Sequence, residues 1–366
     1  MTPADIPELQ ALGYSPRWHA LFEPLIGQGL TPARVIRSDR GSVLIDTPGG
    51  IVRAQPSARL LKTARGSAAM PTVGDWVAAL LGDDVDAATI EAVLERASAI
   101  MRGDPGKGSD VQVLAANIDT AFIVHPIADP PNLRRIEREL SLAWDSGAAP
   151  VVVLTKADLC ADPDAACRAV ASVAPDVDVL VTNALSGESA ELLLAYITGH
   201  RTAVLVGPSG AGKSTLINAL LGEQRQATRE VRLGDGRGRH TTIARELIQM
   251  PRGGVLIDTP GLRALGLTGS EEGIASVFPD IERYAQSCRF RDCAHDGEPE
   301  CAVQAAVESG ALPPERLASY HKLMREAQVA AAKTDARLRA GEDRGAKLIS
   351  RAAKDYHKRH GRGRGS

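Results

Sequence analysis

Hydrophobic and polar positions divide the chain into stretches of different rhythm. Over roughly the first 29 residues Leu9, Leu12 and Tyr14 lead to Trp18, Leu21 and Phe22 at helical spacing, then give way to a loop-like stretch with no legible chemistry. From about Ala33 to Arg102 the rhythm shortens. ARVIRSD, SVLID, IVRAQ, PTVGDWVAAL and TIEAVLER are β-type runs broken by Gly41, by Pro48, Gly49 and Gly50, and by other turn residues. Strands of this length and spacing predict a small barrel or sandwich. GDPGKG, from Gly103 to Gly108, reads as a linker.

From about Val111 to Gly269 apolar runs alternate with amphipathic helices, the pattern of a parallel sheet covered on both faces. TAFIVHP at 120 predicts a strand, and Leu133, Ile136, Leu140 and Ala143 then recur at helical spacing. PVVVLTKADL at 150, DVDVLVTNAL at 176, RTAVLVGPSG at 201 and GGVLIDTPGL at 253 predict four more buried strands, each ending in small or polar residues. In open α/β sheets ligands bind beyond the carboxyl ends of the strands, so chemistry is sought there. Beyond about Ser270 a cysteine-containing patch leads into helical, then Gly-rich basic sequence. The expected division is an extension over 1–32, a β-barrel over 33–102, an α/β domain over 111–269, a helical domain over 270–340 and a basic tail over 341–366.

Composition narrows the class. With 366 residues and 44% hydrophobic positions the chain can fill several cores, which excludes global disorder. Lys+Arg at 43 against Asp+Glu at 45 leaves a formal charge of −2. No run is long and apolar enough for a membrane helix, and MTPADIPELQ lacks the marks of an export signal, so a cytoplasmic protein without membrane contact is expected. Five cysteines (Cys160, Cys167, Cys288, Cys293 and Cys301) argue against a disulfide framework and for a metal site.

Gly207, Pro208, Ser209, Gly210, Ala211, Gly212, Lys213, Ser214 and Thr215 fit G-x-x-x-x-G-K-[ST] between a predicted strand and a predicted helix, the context the motif requires. Backbone N–H groups of such a loop cradle phosphates, the lysine adds charge, and the Ser214 hydroxyl can ligate Mg²⁺. ATP and GTP, kinase and switch, all remain open on this loop alone. Asp258 opens a DTPG tetrapeptide ending at Gly261, where the carboxylate can hold Mg²⁺ and the glycine N–H can meet a γ-phosphate. A second DTPG, Asp46 to Gly49, is expected to be a hairpin turn, since Pro-Gly-Gly is turn chemistry. Thr155, Lys156, Ala157 and Asp158 match [NT]-K-x-D: a carboxylate there accepts hydrogen bonds from guanine N1–H and the 2-amino group, a donor pair adenine lacks. Asn183, Ala184 and Leu185 form the expected loop toward guanine O6.

The base-recognition motif precedes the phosphate loop, the reverse of ordinary GTPases. Circular rearrangement keeps a pocket intact when the old termini are neighbours. At this point the chain resembles the circularly permuted ribosome small-subunit-dependent GTPase A family, through VGDWV at 73, AANID at 115, the reordered motifs, GRGRHTT at 236 and the terminal cysteine pattern. The resemblance implies an N-terminal OB-fold barrel, a central permuted P-loop GTPase domain and a mostly helical C-terminal zinc domain. It also implies GTP hydrolysis stimulated by the small ribosomal subunit during late maturation, with GTP/GDP, the subunit and its rRNA as partners, and a monomer is expected. Thr155 stands where the family usually has Asn, and the N-terminal stretch is longer than a minimal member needs.

Leu262 follows DTPG where Ras-like enzymes place a water-orienting glutamine, and an alkyl group cannot orient water. His240 is the candidate catalytic group, with Thr242 supplying the switch hydroxyl to Mg²⁺; an equal alternative has His240 contacting rRNA. A competing reading of the chain is an RNA-binding assembly placeholder with little intrinsic hydrolysis. Cys288, Cys293, His295 and Cys301 form a Cys₃His set suited to one closed, structural Zn²⁺ site. Between residues 344 and 366 eight Lys and Arg face only Asp355, a basic end suited to rRNA phosphate.

Overall fold

The computed structural model describes residues 6–39, 41–64, 66–82, 87–103, 111–127, 131–183, 187–222, 245–258 and 270–332. Two short helices come first, α1 (Pro7–Ala11) and α2 (Pro16–Phe22). Each has proline in its first turn, where the missing N–H would have had no helical partner. They bury Leu9, Trp18 and Phe22, so the extension is packed against the body of the protein.

The short β runs form β1 (Thr31–Ser38), β2 (Val43–Thr47), β3 (Gly50–Pro56), β4 (Trp76–Leu81) and β5 (Ala88–Val93), with α3 (Ala58–Thr63) between β3 and β4. Their order is β1-β2-β3-β5-β4, and β4 pairs back to β1, which closes an OB-like barrel and removes both edges. Val35, Ile45, Val77 and Ile90 fill it. The Asp46–Gly49 copy of DTPG is the predicted hairpin turn: Thr47 pairs with Gly50, and the Thr47 hydroxyl accepts the Gly49 N–H at 3.1 Å.

A hairpin follows that the sequence pattern did not foresee, β6 (Ala99–Gly103) paired antiparallel with β7 (Val111–Ala116). The expected linker joins these two strands rather than two domains. Its residues 104–110 lie outside the described part of the chain.

The α/β unit runs β8 (Thr120–Pro126), α4 (Leu133–Asp145), β9 (Ala149–Thr155), α5 (Pro163–Ala171), β10 (Asp178–Val181), α6 (Gly187–Ile197), β11 (Thr202–Val206), α7 (Lys213–Leu221), β12 (Arg245–Gln249) and β13 (Val255–Asp258). β10, β9, β8, β11 and β13 are parallel in that spatial order. Alternate residues of one strand enter different cores: Phe122 and Val124 pack with the α6–α7 side, while Ile123 packs with Ile136 and Leu140 of α4. That double burial is why these strands read as unbroken apolar runs. β12, also not foreseen, is antiparallel to β13 and joins the sheet to the barrel through Arg37 opposite Glu246.

The C-terminal region comprises α8 (Glu271–Val277), α9 (Pro279–Ala285), α10 (Ala302–Glu308) and a helix described over 314–332. Buried Arg316 ties it to the α/β unit. Its guanidinium donates to Glu137 of α4 at 2.7 Å, to Asp280 at 3.0 Å and to the Val277 carbonyl at 2.7 Å, and lies 4.3 Å from the Phe278 ring centre. Among the described residues no helix is long and apolar enough to cross a membrane.

Candidate functional site

β11 ends in the glycine loop, and its backbone demands glycine. Gly207 has φ 142°, and a Cβ there would be driven into the Val124 carbonyl oxygen of the neighbouring strand. Gly210 and Gly212 have φ 79° and 90°, left-handed conformations that bend the chain into α7 without side-chain strain. The Lys213 ammonium folds back over the loop and donates to the carbonyls of Gly207 (2.7 Å) and Pro208 (2.5 Å). Ser214 and Thr215 sit in the first turn of α7, whose N-terminus carries the positive end of the helix dipole.

Thr155, the last residue of β9, is fully buried and bridges two motifs. Its hydroxyl donates to the Ala211 carbonyl of the glycine loop at 2.7 Å, with the His125 carbonyl 3.3 Å away. Gly212 leaves room for it: a Cβ there would sit 3.4 Å from the Thr155 hydroxyl. Lys156 follows in a left-handed conformation (φ 61°) and turns the chain into a short 3₁₀ segment carrying Ala157 and Asp158. The next strand end lies alongside, since the Thr182 N–H donates to the Leu154 carbonyl at 2.7 Å and the Ala157 N–H to the Thr182 carbonyl at 3.4 Å. This puts Asn183 beside the Thr155–Asp158 corner. Asp258 ends β13, the strand paired with β11. Ala184, Leu185, His240, Thr242, Gly261 and Leu262 lie outside the described residues.

One participant in this corner was missed by the sequence reading. His125, at the carboxyl end of β8, is buried, and its Nε2 lies 2.7 Å from Glu139 of α4, which also accepts from Arg135. The strand end beside the Thr155 hydroxyl is thus fixed to a helix. The rule that strand ends carry chemistry would have flagged it.

The four predicted metal ligands converge. The Cys288, Cys293 and Cys301 sulfurs and a His295 ring nitrogen all lie within 4.8 Å of one another, so a single metal ion can sit among them. His295 is buried and left-handed (φ 61°), and Gln304 donates to its carbonyl at 2.6 Å. Burial pushes the Cys288 thiol up, but the N–H groups of Val303 and Ala302 at the start of α10, with Cys301 and Cys293, outweigh it and hold the thiol below its ordinary value. Burial, then Cys301 and Cys288, push Cys293 up to about 12. Adjacent thiols resist ionising together unless a cation compensates them.

The family model for the RsgA GTPase matches residues 93–268. The chain is 48% identical to the small ribosomal subunit biogenesis GTPase RsgA of Streptomyces coelicolor, covering 91% of this chain and 90% of that one. The chain belongs to the RsgA GTPase family. It is 42% identical to the Opitutus terrae member, over 93% of this chain and 95% of the relative. Among solved structures it is similar to YjeQ from Thermotoga maritima (TM-score 0.62, 25% identity, 82% of this chain and 99% of that one). It is similar too to YloQ, a circularly permuted GTPase (TM-score 0.60, 25% identity, 82% and 96%). The protein is therefore a GTPase with the barrel, permuted GTPase domain and helical C-terminal region that the resemblance implied.

Proposed function

We propose that the protein binds GTP at the junction of the glycine loop and the Thr155–Asp158 corner and hydrolyses it during maturation of the small ribosomal subunit. The observation that carries this reading is the hydrogen bond between the Thr155 hydroxyl and the Ala211 carbonyl. It locks the base-reading corner to the phosphate loop although 56 residues separate them in sequence. Asp158 accepts the guanine N1–H and 2-amino donors, the Lys156 stem lies along the base, and the loop at Asn183, Ala184 and Leu185 meets O6. N–H groups from Gly207 to Thr215 hold the phosphates, with Lys213 leaving its carbonyl partners for phosphate oxygen.

Ser214, Thr242 and Asp258 would hold Mg²⁺, which when bound neutralises charge on the β- and γ-phosphates. Gly261 meets the γ-phosphate, and His240 orients or deprotonates water. Because Leu262 cannot perform that task, unassisted turnover is slow and the ribosomal subunit completes the site.

Zinc is the metal of the Cys₃His cluster. Bonds of about 2.3 Å to sulfur and about 2.0 Å to nitrogen in a tetrahedron give ligand separations near 3.8 Å and 3.5 Å. Cys288 and Cys301 sulfurs are 3.8 Å apart, and each lies 3.6 or 3.5 Å from His295 Nδ1. Four protein ligands leave no open position, so the metal is structural. The protein works as a cytoplasmic monomer, and its basic end at 341–366 adds contact to rRNA phosphate.

The test is a GTPase assay titrated with purified small subunits. Turnover that rises with subunit concentration supports the reading. Turnover that stays flat while the protein still binds subunits favours the placeholder.

A further inference from the structure

A cleft of about 680 Å³ lies at the opposite end of the sheet from the proposed nucleotide corner. Three segments build it: the N-terminal extension, the barrel, and the amino ends of the α/β strands at Asp119 and Thr202. Its volume falls in the range of small-molecule sites, which run from roughly 300 to 1,000 Å³. β11 runs from Thr202 to the glycine loop, five residues on, so the two sites are about 17 Å apart along that strand.

The charges of the cleft are unbalanced. Arg34 is buried in its floor, and the rim carries the exposed Arg17, His200 and Arg201. Asp119 is the one acidic side chain among the lining residues, and it already accepts the Thr202 N–H at 2.7 Å. Arg34 donates to the Leu12 carbonyl and to the Thr202 hydroxyl (2.7 Å), and its guanidinium lies 5.1 Å from the Trp76 ring centre. Burial draws it down to about 10, against the pull of Asp119 and Asp75, so it remains a cation at neutral pH.

Two buried groups here are incompletely bonded. Arg34 Nε and the Tyr14 hydroxyl have no hydrogen-bond partner among the described residues, although both residues are more than nine-tenths buried. Native interiors seldom leave such donors without a use. The proposed GTP chemistry uses neither.

We propose that this cleft is a second binding site, taking a nucleotide-sized phosphate ester between the Arg34 floor and the Arg17–Arg201 rim. An inorganic phosphate would leave most of the volume empty. A phosphate attached to a nucleoside occupies far more of it, and the nucleoside belongs either to a free mononucleotide or to a terminal nucleotide of RNA. Ligand in the cleft and GTP at the glycine loop do not compete.

The test uses the full chain with one equivalent of GDP and Mg²⁺, so that the glycine loop is filled and no free GDP competes for the cleft. AMP and a 5′-phosphorylated dinucleotide are titrated separately, read by tryptophan fluorescence, since Trp18 and Trp76 border the cleft. Saturable binding is expected, weakened about tenfold or more in an Arg17→Ala/Arg201→Ala variant through loss of charge-assisted bonds. GDP affinity and basal GTP hydrolysis stay unchanged in that variant, because neither side chain belongs to the GTP site. Binding of AMP assigns the site to free nucleotides; binding of the dinucleotide alone assigns it to RNA ends. If neither probe binds at millimolar concentration, or if the double variant binds both as the parent does, the proposal is overturned.

Discussion

The proposed nucleotide corner and the Cys₃His cluster are both small constellations, built by opposite means. The corner is shaped by backbone: glycines at φ 142°, 79° and 90°, a left-handed Lys156, and one threonine hydroxyl between two loops. The cluster is made of four side chains from one stretch of 14 residues, in the connection between α9 and α10. A backbone-shaped site keeps its form because the sheet beneath it is rigid. A side-chain cluster keeps its form only while something bonds the side chains together. The two regions should therefore fail differently.

Removing the metal is expected to have the largest effect. A structural zinc contributes on the order of 10 kcal/mol of apparent binding free energy, and that energy is folding energy. Chelation should unfold the C-terminal helices, detected as protease cleavage confined to residues beyond about 270, while GDP affinity persists. If nucleotide binding is lost at the same chelator concentration, the two regions do not stand apart as described. Next comes Gly207→Ala, which forces a Cβ against the Val124 carbonyl at a conformation foreign to alanine. A loss of about 2–4 kcal/mol in thermal or urea unfolding is expected, with nucleotide binding weakened and the metal retained.

Thr155→Val keeps the shape and deletes the hydroxyl, leaving the Ala211 carbonyl short of a donor. This should cost about 1–2 kcal/mol, measured as a rise in the GDP dissociation rate. The smallest effect belongs to the seam between the regions, where Arg138 donates to Glu326 at 2.6 and 3.0 Å. The Arg138 hydrogen bond holds the Glu326 carboxyl below its ordinary value. Its stabilisation is present above the unfolded glutamate pKa and lost as pH falls through the lower folded one. Because the pair is partly exposed, Glu326→Gln should change stability by less than about 1 kcal/mol at pH 7 and by nothing in acid.

The means of construction also decide what was legible in the sequence. The glycine loop, the TKAD corner and the cysteine set are local strings, so each could be read before any fold was known. The apolar runs of β8, β9 and β11 announced a doubly covered sheet because both faces of those strands are buried. β12 escaped because RELIQ is short, charged and antiparallel to its neighbours, and the β6–β7 hairpin escaped because its glycine-rich connection resembles a domain linker. The first DTPG was read correctly only because its neighbours were turn residues. His125 and Arg34 were invisible for another reason. Their partners, Glu139 on a later helix and Thr202 at 168 residues' remove, are chosen by tertiary packing rather than by spacing.

The central claim is that loops reordered along the chain form one guanine nucleotide pocket, with Asp158 reading the base and Lys213 the phosphates. Nucleotide preference of an Asp158→Asn protein tests it most directly. A carboxamide no longer accepts both guanine donors, but its N–H can donate to the C2 carbonyl of xanthine. The account predicts that GTP binding falls by at least about a hundredfold, the equivalent of two hydrogen bonds to a charged group, while XTP binding rises and still requires Lys213. An Asp158→Asn protein that folds normally and keeps the parent's preference for GTP would contradict it.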